Sequence, residues 1–179
     1  MLTELGRFEQ AVRRTHQYSH AREGIRTVGH PFNERNISAE LPPVVRQLFD
    51  NGHYAQATFE TYKFIDNEVQ RHAKSSKSGF GLMMDALGGD NPNVRLTPMQ
   101  SASQRDEQKG FQFLFAGAVL AIRNPRGHDY AVGDDPDLCL DHLSLASLLL
   151  RRLADAGYKC SATGLLSVGA QGVGSPPSL

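Results

Sequence analysis

Apolar residues recur at helical spacing along most of this chain, and segments rich in glycine, proline and serine separate the periodic stretches. The spacing predicts helices over about residues 2–22, 43–50, 53–73, 103–124 and 136–156, with a short helical piece at 82–87. No alternation of apolar and polar residues is long enough to indicate a strand. The predicted fold class is therefore all-α.

The longest apolar helix has a predicted start and a predicted end. Ser103 is the expected N-cap, with Asp106 and Glu107 in the first turn, where the helix dipole favours negative charge. Pro125 is expected to end the helix, because a proline disfavours helical geometry at the preceding residue, Asn124. Between these points the predicted apolar face comprises Phe111, Leu114, Phe115, Ala118, Val119 and Ile122.

Turn and cap residues mark other helix ends. Asn51 and Gly52 can take the left-handed conformation that closes a helix after Asp50. Asp135 is the predicted N-cap of the last helix, with Pro136 at its first position, where the missing amide hydrogen needs no partner.

Length and composition favour one domain without a membrane span. The chain has 179 residues, with 19 lysines plus arginines and 19 aspartates plus glutamates. Equal charge gives no bulk attraction to nucleic acid, so such binding would need a local patch. No apolar stretch reaches the about 18 residues that a membrane span requires, and the N-terminus does not fit a signal peptide. The two cysteines, Cys139 and Cys160, lack metal-site spacing, so we expect a cytoplasmic protein.

We expect three parts along the chain. Residues 1–29 form an N-terminal amphipathic helix and a connection, and residues 30–158 form the helical domain. Residues 159–179 are expected to be a flexible tail, because their last 19 positions are uncharged and rich in glycine, with two prolines.

The stretch FQFLFAGAVLAIRNPRGHDY, residues 111–130, carries the candidate chemistry, because polar residues directly follow an apolar run. An arginine presents a planar fork of donors to phosphate oxygens and stabilises the charge of a phosphoryl-transfer transition state. A histidine, with a reference pKa of about 6.5, can accept a proton from an attacking hydroxyl. Arg123 is thus a candidate phosphate clamp and His128 a candidate general base or acid, and Asn124 is a candidate either to orient the histidine or to hold the phosphate. Arg126 is a weaker candidate for contact with the substrate backbone.

RNA fits this chemistry because it carries a hydroxyl beside each phosphate. A base near the 2′-oxygen lets it attack that phosphate without a metal, leaving a cyclic phosphate. A sharp turn at Pro125 and Gly127 is expected to bring Arg123 and His128 to one side. No metal ion or cofactor is expected.

The spacing of Arg123 and His128 is by itself a weak signal. An arginine followed at a comparable distance by a histidine also occurs at residues 13–20 and 46–53. The structural alternative is an ordinary helix C-terminus, where arginines complement the negative end of the dipole and the histidine lies on the surface.

The chain resembles the bacterial Ymh-type hypothetical proteins in three stretches, NGHYAQATFETYKFID, RDEQKGFQFLFAGAVLAIRNPRGH and DPDLCLDHLSLASLLLRRL, within about residues 30–156. Its Arg-Asn-x-x-x-His pattern in an all-α domain also resembles the HEPN superfamily. The motif of that superfamily is an arginine, a polar residue, and a histidine about four to six places beyond the arginine. Matched by position, Arg123, Asn124 and His128 occupy these three places.

The resemblance implies a HEPN-like helical bundle that forms a homodimer, with the two Arg-His motifs across a shared cleft. It implies a metal-independent endoribonuclease that cuts RNA in anti-phage defence or as a toxin. An antitoxin or another defence-system protein would then be a partner. Some HEPN domains bind nucleotides or partners without cutting RNA, so the alternative is a catalytically silent binding module.

Two other patterns are weaker. His16 and His20 lie one helical turn apart, as metal ligands do, but the glutamate of H-E-x-x-H is absent and exposed histidines are favoured. The stretch NGHYAQATFETYKF is similar to a tetratricopeptide helix pair, a protein-binding repeat, but no period of about 34 residues recurs.

Overall fold

The computed structural model describes residues 29–128 and 133–160, and every regular element within these ranges is a helix. The all-α prediction is therefore confirmed for this part of the chain. None of the helices described there is both long and apolar enough to cross a membrane.

The chain divides into two compact units, Met1–Glu34 and Arg35–Leu179. In the first unit, the described part contains one short helix, α1 (Pro31–Glu34). The predicted helix over residues 2–22, with its histidines, lies outside the described residues, as does all of the predicted tail beyond Cys160. The sequence-based division into three parts stays a prediction.

The second unit is built around a central helix. Its elements are α2 (Pro43–Asp50), α3 (Tyr54–Ala73), α4 (Gly79–Leu87), α5 (Ala102–Ala118), a π-helical turn (Val119–Arg123), α6 (Asn124–His128) and α7 (Pro136–Asp155). Helix α3 is central, because α2, α4, the π-helical turn, α6 and α7 all pack against it. Fully buried side chains from these elements form the core, among them Val45, Tyr62, Ile65, Leu82, Met83, Phe115, Leu143, Leu149 and Leu150.

Two of the predicted helix ends are confirmed. The Asp135 side chain accepts a hydrogen bond from the Leu138 amide at 2.8 Å, and Pro136 opens α7. Helix α2 ends at Asp50, where Gly52, with φ of 78°, supplies the left-handed conformation.

The predicted start of α5 at Ser103 is wrong. The helix begins at Ala102 with Ser101 as its N-cap, so Asp106 and Glu107 lie beyond the first turn. The reason is a reciprocal cap: Ser101 Oγ accepts from the Gln104 amide at 3.2 Å, and Gln104 Oε1 accepts from the Ser101 amide at 3.4 Å. Two amides that a helix start leaves unpaired are thereby satisfied.

The predicted end of the helix at Pro125 is also wrong. Asn124 is helical, with φ of −63° and ψ of −45°, and α6 continues to His128. The π-helical turn provides the physical reason, because the Asn124 amide donates to the Val119 carbonyl, one residue further back than in an α-helix. This wider turn moves away the carbonyl with which the Pro125 ring would otherwise clash.

Candidate functional site

Arg123, the last residue of the π-helical turn, is held against α3. Its guanidinium carbon lies 5.7 Å from the centre of the Phe59 ring, and Nη1 donates to Asn124 Oδ1 at 3.4 Å. Its Nε is buried and has no hydrogen-bond partner in the described part of the chain. No carboxylate in that part lies close enough to Arg123 to form an ion pair. Among the described residues, Arg123 therefore has no carboxylate to compensate its charge, and it lies in a partly buried position.

Arg126 has the opposite environment. Its guanidinium is 6% exposed and pairs with the fully buried carboxylate of Asp134. Its Nε lies 3.1 and 2.9 Å from the two Asp134 oxygens, Nη2 also donates to that carboxylate, and Nη1 donates to the Ile122 carbonyl at 2.7 Å. The structure thus does not place Arg126 where the sequence prediction needs it, because its donors are used inside the fold and cannot reach a substrate.

Asp134 connects three helices. Its Oδ2 accepts from Thr58 Oγ1 of α3 at 2.7 Å, its carboxylate pairs with Arg126 of α6, and it directly precedes the N-cap of α7. Burial alone would raise the pKa of Asp134, but the hydrogen bonds from Arg126 and Thr58 outweigh it and hold the pKa below its ordinary value. The carboxylate is therefore ionised at neutral pH.

His142 of α7 completes this buried group. Its Nδ1 lies 3.4 Å from Arg126 Nη2 and 3.6 Å from Asp134 Oδ2. Burial first, and then the charge of Arg126, lower the pKa of His142. The ring is therefore neutral at pH 7, with Nδ1 able to accept from the guanidinium. We call Arg126, Asp134, Thr58 and His142 the anchor cluster.

His128 is the last residue of α6 and is exposed. Five positions separate it from Arg123, which on an α-helix correspond to about 7.5 Å along the axis and about 140° around it. The expected sharp turn at Pro125 and Gly127 is not formed, because the chain is helical there. Within one chain the helix therefore directs Arg123 toward α3 and leaves His128 on a different side.

Phe59 supports both ends of this segment. Its ring contacts the Arg123 guanidinium, and a Cβ at Gly127 would lie 3.0 Å from its Cε2 atom. Glycine at position 127 thus lets α6 approach α3 closely. Asn124 contributes through Arg123, since its side-chain oxygen accepts from that guanidinium and therefore orients the arginine.

Sequence reasoning missed Phe59 and all of the anchor cluster except Arg126. One signal was available for Asp134, because the pair Asp134-Asp135 precedes a helix that needs only one N-cap. The second acid, close in sequence to two arginines, could have been proposed as an ion-pair partner. No comparable signal exists for Thr58 or His142, since their roles depend on helix packing.

Over residues 29–128 and 133–160, the fold and the site define an all-helical protein with an arginine that lacks a carboxylate partner there and an exposed histidine near one helix end. A model of the Hypoth_ymh family, described as a protein of unknown function, matches residues 35–153. The chain belongs to this family. No curated protein and no solved structure matches the chain.

Proposed function

We propose that this protein is a metal-independent endoribonuclease of HEPN type that acts as a homodimer. The observation that carries the proposal is the contrast between its two neighbouring arginines. Asp134 neutralises Arg126, whereas Arg123 has no carboxylate partner among the described residues. A partly buried guanidinium with unused donors is suited to an anionic ligand such as a phosphate.

The proposed roles follow from the chemistry of each group. The 2′-oxygen of RNA attacks the adjacent phosphorus, and the bond from phosphorus to the 5′-oxygen breaks. His128 of one copy accepts the proton of the 2′-hydroxyl, and His128 of the partner subunit donates a proton to the leaving 5′-oxygen. Arg123, oriented by Asn124, stabilises the added charge on the phosphate oxygens. The products are a 2′,3′-cyclic phosphate and a 5′-hydroxyl.

A dimer is needed because one chain directs Arg123 and His128 apart. A second copy can place the partner's His128 opposite Arg123, so that the site is completed between subunits. The C-terminal half of α5, with the π-helical turn that follows it, offers a surface for such pairing. We define the α5 face as the exposed positions on one side of α5 and the π-helical turn, namely Gly110, Phe113, Leu114, Gly117 and Leu120.

The glycines of the α5 face support close packing of a second helix. A Cβ at Gly110 or Gly117 would meet no atom within 4 Å, so the monomer fold does not require either glycine. Each glycine costs a helix interior about 1 kcal/mol relative to alanine. The large apolar side chains beside them, Phe113 and Leu120, are 55% and 54% exposed. A partner helix approaching along the glycines would cover both.

Replacing Phe113 by glutamate is expected to weaken the dimer at least about tenfold, because a charge would be placed in an apolar interface. The monomer should keep its stability to within about 0.5 kcal/mol, since the side chain is mostly exposed. Analytical ultracentrifugation over a concentration series measures the dissociation constant. Leu148→Glu, at a 46% exposed position on α7, is the matched control and should leave the dimer unchanged. Equal dissociation constants for Phe113→Glu and wild type would remove the α5 face from the proposal.

The proposed activity is tested with purified protein and total cellular RNA in excess EDTA. We expect cleavage, with 2′,3′-cyclic phosphate at one new end and a 5′-hydroxyl at the other. Cleavage that requires added Mg²⁺, or ends that carry a 5′-phosphate, would contradict the metal-independent mechanism. No cleavage at high dimer concentration, with neighbouring gene products supplied, would favour the binding module instead.

The biological setting of the proposal is defence against phage or growth arrest by a toxin, as the HEPN resemblance implies. RNA is then the substrate, and an antitoxin or another defence-system protein is the expected partner. Controlled expression in a bacterial host tests this setting. Growth should stop with wild-type protein and continue with His128→Ala.

A further inference from the structure

A buried ion pair between Arg126 and Asp134 joins the two ends of the segment that contains His128, residues 126–134. Arg126 precedes His128 by two positions, and Asp134 pairs with Arg126 across a sequence separation of 8 residues. The pair is inaccessible to solvent, with side-chain exposures of 6% for Arg126 and 0% for Asp134. Both ends of the segment are thus fixed to each other, whatever course residues 129–132 take between them.

The ion pair is in turn fixed to the core. Thr58 Oγ1 donates to Asp134 at 2.7 Å, and Thr58 lies on the central helix α3 with no exposed surface. The Arg126 guanidinium also donates to the Ile122 carbonyl, which binds it to its own helix. Three contacts therefore hold the end of α6, and with it His128, in place: Arg126 with Asp134, Arg126 with the Ile122 carbonyl, and Asp134 with Thr58.

Stability alone is a weak explanation for such a pair. Burying two charges carries a large desolvation penalty, and well-packed apolar residues of similar volume often stabilise a fold equally well. What a bidentate ion pair adds is a defined geometry, because the guanidinium fork accepts a carboxylate in few orientations. A defined geometry matters most for a neighbouring group that must be held in place.

We propose that Asp134 is a positioning residue for His128, acting through Arg126 and supported by Thr58. The catalytic consequence rests on the proposed nuclease function, but the positioning itself does not. Asp134 has a second effect on the site: it neutralises Arg126, so that Arg123 is the arginine near His128 that lacks a carboxylate partner among the described residues. In this proposal Arg126 holds the end of α6 in place and does not contact the substrate.

The test uses the full-length protein and the variant Asp134→Asn, which keeps the side-chain shape and removes the charge. The Cε1–Hε1 NMR signal of His128, assigned by its loss in His128→Gln, reports the position of the ring without reference to activity. We expect this signal to shift or broaden in Asp134→Asn, and amide hydrogen exchange at Gly127 and His128 to accelerate about tenfold or more.

Two further variants separate positioning from general damage. Thr58→Val removes the hydrogen bond to Asp134 without changing residues 126–134. It should move the His128 signal in the same direction as Asp134→Asn, by a smaller amount. If Asp134→Asn does not fold, Thr58→Val provides the test instead. Asp141→Asn, which removes an exposed carboxylate of α7 paired with Arg35, is the matched control and should leave the signal unchanged. A His128 signal that stays at its wild-type position in folded Asp134→Asn or Thr58→Val overturns the proposal.

Kinetics give the second readout. If RNA is cleaved, Asp134→Asn should lower kcat about 10- to 100-fold with KM changed less than about twofold, because misplacing a catalytic group by about 1 Å has effects of this size. Unchanged kcat would overturn the catalytic consequence. If wild-type protein cuts no RNA while the His128 signal responds to Asp134→Asn, the nuclease proposal fails and the positioning proposal stands.

Discussion

Cleavage of RNA in EDTA is expected to fall about 10²- to 10⁴-fold when His128 is replaced by alanine, and about 10²- to 10³-fold when Arg123 is replaced. A positioned general base or acid contributes about the first factor, and a preorganised donor to developing charge contributes about the second. Initial rates on a labelled oligonucleotide, at equal concentrations of folded dimer, measure both losses.

The two losses should not multiply in the double variant. In the proposed mechanism both groups act on one phosphate in one transition state, so removing either leaves the other with little to stabilise. We expect the cleavage rate of the double variant to lie within about tenfold of the rate of the less active single variant. Losses that multiply in full would indicate that Arg123 and His128 act in separate steps or at separate places.

The chain provides its own control for this comparison. Arg46 and His53 have a similar sequence spacing, and both are exposed outside the site. Alanine at either position should leave the rate within about twofold of wild type. Equal rates for wild type, Arg123→Ala and His128→Ala would mean that the cleavage comes from a contaminating nuclease, since pancreatic-type ribonucleases also leave cyclic phosphates.

Arg123→Lys tests the kind of interaction that the arginine makes. Lysine keeps the charge but lacks the planar fork and the contact of a guanidinium with the Phe59 ring. We expect a rate between those of wild type and Arg123→Ala. This outcome fits the geometry, in which Phe59 and Asn124 orient the guanidinium plane.

For the candidate site, the sequence suggests a segment but not its geometry, and the roles of its residues stay predictions. Residue chemistry and family resemblance suffice to propose Arg123, Asn124 and His128, because these assignments depend on residue type and order. The expected turn at Pro125 failed because a proline rule that holds for α-helices does not hold after a π-helical turn. The ion pair of Arg126 with Asp134 could have been proposed from the two neighbouring acids, but the burial of that pair against Thr58 and His142 depends on helix packing.

For the fold, the sequence correctly predicted two helix ends that depend only on neighbouring residues. Asp135 and Pro136 specify the start of α7 with no need of other elements, and that prediction is confirmed. The orientation of α5 was harder to predict from the sequence. The hydrophobic pattern placed Leu114 on the buried face of the helix, but Leu114 is 45% exposed. The structure instead buries two glutamines of that helix, Gln108 and Gln112, which a hydrophobic pattern assigns to solvent.

Gln108 explains why α5 has this orientation. It is 2% exposed and pairs with three backbone groups, one at the last residue of α4 and two in the segment that follows α4. Its Oε1 accepts from the Leu96 amide at 2.7 Å, and its Nε2 donates to the carbonyls of Leu87 and Val94 at 2.8 and 3.1 Å. The side-chain amide of Gln108 thus provides hydrogen bonds that backbone groups would otherwise receive within a helix or sheet.

Replacing Gln108 by leucine is therefore expected to lower the free energy of unfolding by at least about 3 kcal/mol, although leucine is the more hydrophobic residue. Three buried backbone groups would each lose a partner, at about 1 to 3 kcal/mol apiece. Urea unfolding measures the loss, and hydrogen exchange at the Leu96 amide should accelerate. Gln104→Leu, which removes the exposed hydrogen bonds from the Ser101 and Gln100 amides at the start of the same helix, should cost about 1 kcal/mol. A Gln108→Leu protein as stable as wild type would show that another interaction fixes α5, and that the exposed α5 face does not depend on this glutamine.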